Sequence, residues 1–205
     1  MEEARGLRIG IMGGTFNPIH MGHLLLAETA RTEEKLDRII FIPNGCPYMK
    51  QKNEVLDAAH RLKMVELAIA DNPFFSVSDM EIQRDGNTYT CDTLRQLQTE
   101  YPSDTFYFLM GADCLFSIEK WKNPQEIFSR CILLAAVRNN ADISQMEGKC
   151  AQLSARYRTK VKLLSFPETE ISSTIIRNCI SENRSIRYMV PEPVRRYIEE
   201  YQLYR

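Results

Sequence analysis

Short apolar runs alternate with amphipathic stretches along the whole chain. The run from Leu7, with Ile9 and Ile11, predicts a buried strand. Its expected end is Gly13-Gly14, where the backbone can turn sharply and approach a ligand with no Cβ in the way. Leu24, Leu25, Leu26, Ala27 and Ala30 then recur at helical spacing and predict a helix over about 22–34. Arg38 to Ile42 is a second strand, stopped by Pro43-Asn44-Gly45, with a polar loop over 43–54. Asp57 caps a helix running to about Ala70, and Asn72-Pro73 ends it. Phe74 to Ser78 predicts a third strand, followed by an irregular charged segment around the turn Asp85-Gly86-Asn87. A helix from about Thr90 turns Leu94, Leu97 and Tyr101 inward. Thr105 to Met110 is a fourth strand ending at Gly111-Ala112-Asp113, and short helices occupy 114–130. Cys131 to Val137 and Val161 to Phe166 complete six strands around a helix over 142–157. Helices over about 172–182 and 191–202 close the chain.

Continuous apolar strands alternating with helices predict an α/β fold: a Rossmann-like, doubly wound parallel sheet in three α/β/α layers, with a helical C-terminal end. The ends of strands one and four would then lie side by side, where ligands bind in such sheets. The stretch Gly10-Ile11-Met12-Gly13-Gly14 is not G-x-G-x-x-G, and no acidic residue ends strand two, so a dinucleotide-oxidoreductase site is not expected. No Walker pattern is present either. Without repeats or Gly/Ser linkers, residues 1–205 read as a single domain.

Composition adds exclusions. A net charge of -1 gives no bulk attraction to nucleic acid or to an anionic membrane, and neither partner is expected. No apolar run approaches the roughly 20 residues needed to span a bilayer. Six scattered cysteines, with no C-x-x-C pair and no apolar signal region, predict reduced thiols and a cytoplasmic protein. The sequence leaves open a homo-oligomer.

Of only three histidines, His20 and His23 lie three residues apart at the start of the first helix, on one face. Unpaired N–H groups and a partial positive charge at that end suit a phosphate. The alternatives are ordinary helix-start residues or two metal ligands, but no Cys or Glu follows at a local ligand spacing and no metal ligand is assigned. A second cluster, Ser172-Ser173-Thr174 with Arg177, opens a later helix. One hydroxyl there is enough for a cap, and three plus an arginine can serve a polyphosphate.

At these residues the chain resembles a known superfamily. Gly13-Gly14-Thr15-Phe16-Asn17-Pro18-Ile19-His20-Met21-Gly22-His23 looks like the GGTFDPIHxGH signature of the HxGH nucleotidyltransferases, and 171–177 looks like their ISSTxIR motif. Thr88 to Leu94 is similar to the TYTxDTL segment, and Gly111-Ala112-Asp113 with Trp121 to the GAD…W segment, of the nicotinate-mononucleotide adenylyltransferase family within it. Pro43 to Lys50 and His60-Arg61 also have family counterparts. The chain departs from the pattern at Asn17 (usually Asp), at Tyr48-Met49 (usually Pro-His) and at Asn139-Asn140 (often Pro-Gly).

The resemblance implies that ATP and nicotinate mononucleotide react to give nicotinate adenine dinucleotide and pyrophosphate, with Mg²⁺ carried on the ATP phosphates. It implies His20 as the histidine nearer the attacking phosphate and His23 as the one nearer the triphosphate. Gly13, Gly14, Thr15 and Phe16 would form a backbone cradle. Ser172, Ser173, Thr174 and Arg177 would hold the β,γ-phosphates with help from Lys50, and Gly111, Asp113 and Arg138 would lie around the adenosine. Trp121 could stack on the pyridine ring, and Tyr89 and Thr90 at a helix start could receive its carboxylate. Trp121 as a core aromatic and Lys50 as a solvated loop charge remain open. Rival readings are a related transferase acting on nicotinamide mononucleotide, pantetheine phosphate or a cytidylyl acceptor, and a module that senses a nucleotide without turning it over.

Overall fold

The computed structural model describes residues 6–45, 55–137, 143–165 and 169–205. Lys50 and Arg138 lie outside these residues. Six strands form one sheet: β1 (Arg8–Gly14), β2 (Arg38–Pro43), β3 (Phe75–Val77), β4 (Thr105–Gly111), β5 (Cys131–Val137) and β6 (Val161–Ser165). All adjacent pairs are parallel, in the order β3-β2-β1-β4-β5-β6. That order reverses between β1 and β4, as in doubly wound nucleotide-binding sheets.

Successive residues of each strand point to opposite faces, and both faces are covered. Ile39, Phe41, Tyr107 and Leu109 pack with α1 (Met21–Glu33), α2 (Ala58–Ile69), α7 (Ser173–Ser181) and α8 (Glu192–Glu200). Ile9, Ile11, Ile40, Ile42, Phe106 and Phe108 pack on the other side. There they meet α3 (Thr90–Glu100), α4 (Ala112–Ser117), α5 (Pro124–Arg130) and α6 (Ile143–Tyr157). The three-layer expectation is met. Asp57 caps α2 through Ala59 N–H at 2.9 Å, and Ser172 caps α7 by accepting from Ile175 N–H at 3.2 Å.

Two local expectations are corrected. The first strand ends at Gly14 as expected, but neither glycine makes the sharp turn, because both stay in register with β2, Gly14 opposite Pro43. The turn comes at Phe16, whose backbone takes φ 48° while its ring is buried in the core. A cis Asn17-Pro18 bond follows. Tyr101 does not face inward: it leaves the helical path at the end of α3, is 40% exposed, and lies beneath the Arg38 guanidinium.

Candidate active site

The site arises where two strands stop pairing. β1 and β4 are in register from Arg8 opposite Thr105 to Ile11 opposite Phe108. Beyond that, β1 stays with β2 as far as Gly14, and β4 with β5 as far as Gly111. The carboxyl ends of the two central strands therefore part, and a cleft opens between them. Met12, Gly13, His20, Gly22, His23, Phe108, Gly111, Trp121, Thr169 and Ser172 are among its walls.

His20 is the N-cap of α1 in extended backbone, and His23 is the third residue of the helix. Their rings stack with centroids 3.7 Å apart and planes 33° from parallel. The His20 backbone N–H donates to His23 Nδ1 at 3.2 Å. A neutral His23 therefore carries its proton on Nε2, and that nitrogen is a donor. Phe16 meets the His23 ring edge-on at 5.1 Å, which fixes the ring's orientation further. Space is tight at Gly22, between the two histidines. A Cβ there would sit 3.1 Å from His20 Nδ1 and 3.4 Å from the Thr169 methyl, so a larger residue pushes on the buried imidazole. At Gly13 a Cβ would meet only the Phe108 ring, at 3.7 Å, and would fill open cleft instead of striking protein.

The loop between β1 and α1 is held from two sides. Arg61 on α2 is 1% exposed and uses its whole guanidinium on carbonyl oxygens and one amide. It donates to Thr15 O at 2.8 Å, Leu56 O at 2.9 Å, Asn44 O at 2.7 Å and Gly45 O at 3.1 Å. Burial lowers its pKa from the usual arginine value, with Tyr204 and Asp57 opposing. On the other side, Arg177 Nη1 donates to Asn17 O at 2.9 Å and the Ser173 hydroxyl to Pro18 O at 2.9 Å. Asn17, 2% exposed, accepts through Oδ1 from Leu56 N–H at 3.2 Å and from the Tyr204 hydroxyl at 3.0 Å. Met21 N–H, at the head of α1, donates to Met189 O at 2.9 Å.

The predicted residues therefore divide. Gly13, His20, His23, Gly111, Trp121 and Ser172 meet in the cleft. Trp121 stands edge-on to Phe108 at 6.1 Å and is only partly buried, so part of its side chain remains at the cleft wall. Gly14 backs onto the Phe16 ring, and the Thr15 hydroxyl accepts from Asn44 at 3.4 Å. Thr174 is exposed and takes the second Arg177 amine at 3.5 Å. Asp113 is exposed in the first turn of α4 and does not line the cleft. Tyr89 and Thr90 form the head of α3 and do not line the cleft either; Lys122, next to Trp121, puts Nζ 4.1 Å from the Tyr89 ring centre and 3.1 Å from Asp92.

Sequence reasoning missed Thr169, Phe108 and the anchoring roles of Arg61, Asn17 and Tyr204. An arginine among apolar residues in a helix, together with the family counterpart of His60-Arg61, was the available signal for Arg61. Nothing in the local sequence marks Tyr204.

A parallel sheet opening onto two stacked histidines at the head of its first helix is an arrangement suited to the phosphates of a nucleotide, and the family comparisons give the class, a nucleotidyltransferase. Residues 11–179 match the cytidylyltransferase-like family, and the chain belongs to it. Its relatives are more particular, and group it with the nicotinate-nucleotide adenylyltransferases. A protein of Lachnoclostridium phytofermentans named as a probable member is 48% identical over 197 residues, covering 96% of this chain and 98% of the relative. One from Thermoanaerobacter sp. with the same name is 43% identical over 202 residues, covering 98% and 96%. The fold is shared with the Plasmodium falciparum nicotinic acid mononucleotide adenylyltransferase complexed with NaAD. There the TM-score is 0.79 at 21% identity over 97% of both chains.

Proposed function

We propose that the chain joins ATP and nicotinate mononucleotide to give nicotinate adenine dinucleotide and pyrophosphate, a step of NAD biosynthesis. An oxygen of the mononucleotide 5′-phosphate attacks the α-phosphorus of ATP. The bond from that phosphorus to the bridging α,β-oxygen breaks, and its electron pair leaves with pyrophosphate. No protein nucleophile is required, so catalysis is alignment together with stabilisation of charge on phosphate oxygens.

One observation carries this reading: the His20–His23 stack at the head of α1, with His23 Nδ1 accepting from the His20 backbone N–H so that Nε2 is the protonated nitrogen of the neutral ring. His20 serves the attacking phosphate and His23 the triphosphate, beside the N-terminal peptide groups of α1. Ser172 and Thr174, with the Arg177 edge not engaged by Asn17, face the β,γ-phosphates. Gly13 leaves room for the α-phosphate and Gly111 faces the adenosine, while Asp113, outside the cleft wall, and Arg138 are assigned to the adenosine by the family resemblance alone. The head of α3 at Tyr89–Thr90 takes the nicotinate carboxylate and Trp121 the ring.

In this reading Mg²⁺ enters on the ATP phosphates. The ion offsets phosphate charge there. The single sheet that carries both motifs supports one domain over 1–205. No described helix is long and apolar enough to cross a membrane. Cys91, Cys131, Cys150 and Cys179 are free thiols, which supports a cytoplasmic setting.

Pyrophosphate release tests the reading, with ATP or CTP against nicotinate mononucleotide, nicotinamide mononucleotide and pantetheine phosphate. ATP with nicotinate mononucleotide is expected to be the fastest pair. Faster release with pantetheine phosphate or CTP would replace the substrate assignment, and no release with any pair would favour a sensing module.

A further inference from the structure

The last residues of the chain reach back to the catalytic loop. Four successive holds on that loop come from residues 173–204: the Tyr204 hydroxyl on Asn17 Oδ1, Arg177 on Asn17 O, Ser173 on Pro18 O, and Met189 O on Met21 N–H. Together they bracket the segment ending at His20. Tyr204 is the outermost and the most distant in sequence, at 187 positions from Asn17. It packs on the core beside the buried Leu203, in a left-handed backbone conformation of φ 65°. Its hydroxyl is well placed to be a permanent donor. Burial pushes its pKa far above the usual tyrosine value, against the opposing pull of Arg177 and Arg61. Asn17 Oδ1 thus takes a hydrogen bond from each side, Leu56 and Tyr204, and cannot rotate without stranding a buried donor.

We propose that Tyr204 is a positioning residue for adenylyl transfer: through its hydrogen bond to Asn17 it sets the loop that presents His20 and His23 to the phosphates. It touches no substrate. The role rests on the adenylyl-transfer reading of the histidine pair.

Tyr204→Phe is the test, since it removes one oxygen and keeps the ring that fills the core. kcat is expected to fall about fivefold, the scale of one lost hydrogen bond, while both KM values hold within about twofold. The ¹⁵N–¹H imidazole resonances give a second readout that needs no turnover. The chain has three histidines, and His60 bonds instead to Tyr197 on α8 at 2.8 Å and meets the Tyr201 ring edge-on at 5.6 Å. His20 and His23 signals are expected to move and His60 to stay. Wild-type kcat beside an active unmodified enzyme would overturn the proposal. So would unmoved His20 and His23 signals, or a His60 shift as large as theirs, which would mean a general loosening of the C-terminal end. If the unmodified enzyme releases no pyrophosphate, the reaction reading fails on its own, and the imidazole signals still decide whether Tyr204 positions the pair.

Discussion

Arg177 donates from Nη1 to the carbonyl oxygen of Asn17 at 2.9 Å across 160 positions of sequence. The helix start assigned to the triphosphate therefore also holds the loop that carries His20. In the proposed mechanism one side chain serves both phosphate binding and the geometry of the histidines.

Arg177→Ala is accordingly expected to do two things. KM for ATP rises about tenfold or more, because a charge-assisted contact to phosphate is lost. kcat falls as well, because Asn17 O loses its donor. KM for the mononucleotide moves far less. Arg177→Lys keeps the charge but not the fork, and is expected to recover ATP binding only in part. Equal rises in both KM values in steady-state assays would mean that the residue serves the loop alone.

His20→Ala and His23→Ala are each expected to lower kcat by roughly 10²-fold or more, the scale of one donor lost from a developing negative charge. Each change also removes one half of the reciprocal cap between the two residues at the head of α1, so the melting temperature of both variants should fall modestly. Full activity of His20→Ala would end the mechanism.

The preference for nicotinate over nicotinamide mononucleotide is expected to reach ~10²-fold in kcat/KM. Peptide N–H groups at the head of α3 match both oxygens of a carboxylate, whereas an amide turns an NH₂ donor towards them, and each buried mismatch costs about 1–3 kcal/mol. Thr90→Val should mainly erode the discrimination, and Trp121→Ala should weaken both mononucleotides. Comparable turnover of the two by the unmodified enzyme would move the pyridine site away from α3.

Glu81 gives a pH dependence of stability. It is nearly buried, accepts from the Thr93 hydroxyl at 2.6 Å, and burial raises its pKa, with Thr93, Thr88 and Arg84 opposing. A carboxyl with a raised folded pKa stabilises the fold fully below its unfolded value of about 4.3, and that contribution is lost as pH rises through the folded pKa. Glu81→Gln keeps the acceptor for Thr93 and cannot ionise. Urea melts from pH 4 to 8 should show the unmodified protein losing ground to the variant as pH rises. A gap that is constant with pH would mean that the carboxyl pays no desolvation penalty.

Strand and helix positions were legible because each depends on local periodicity: the apolar runs at 38–42 and 131–137 could pack only as buried strands of a parallel sheet. The histidine pair and the hydroxyl cluster were legible for a similar reason, since a helix start and its spacing place side chains on one face within a few residues. The sharp turn was misplaced. Glycine permits a turn but does not compel one, and pairing with β2 keeps Gly13-Gly14 extended until Phe16 buries its ring. Only the tertiary structure decided that β1 and β4 part after Ile11 and Phe108, and that Arg61, Arg177 and Tyr204 converge on one loop. Those contacts join residues dozens to nearly two hundred positions apart. They form because a buried carbonyl must find a donor wherever the packed layers bring one, and no local pattern encodes which.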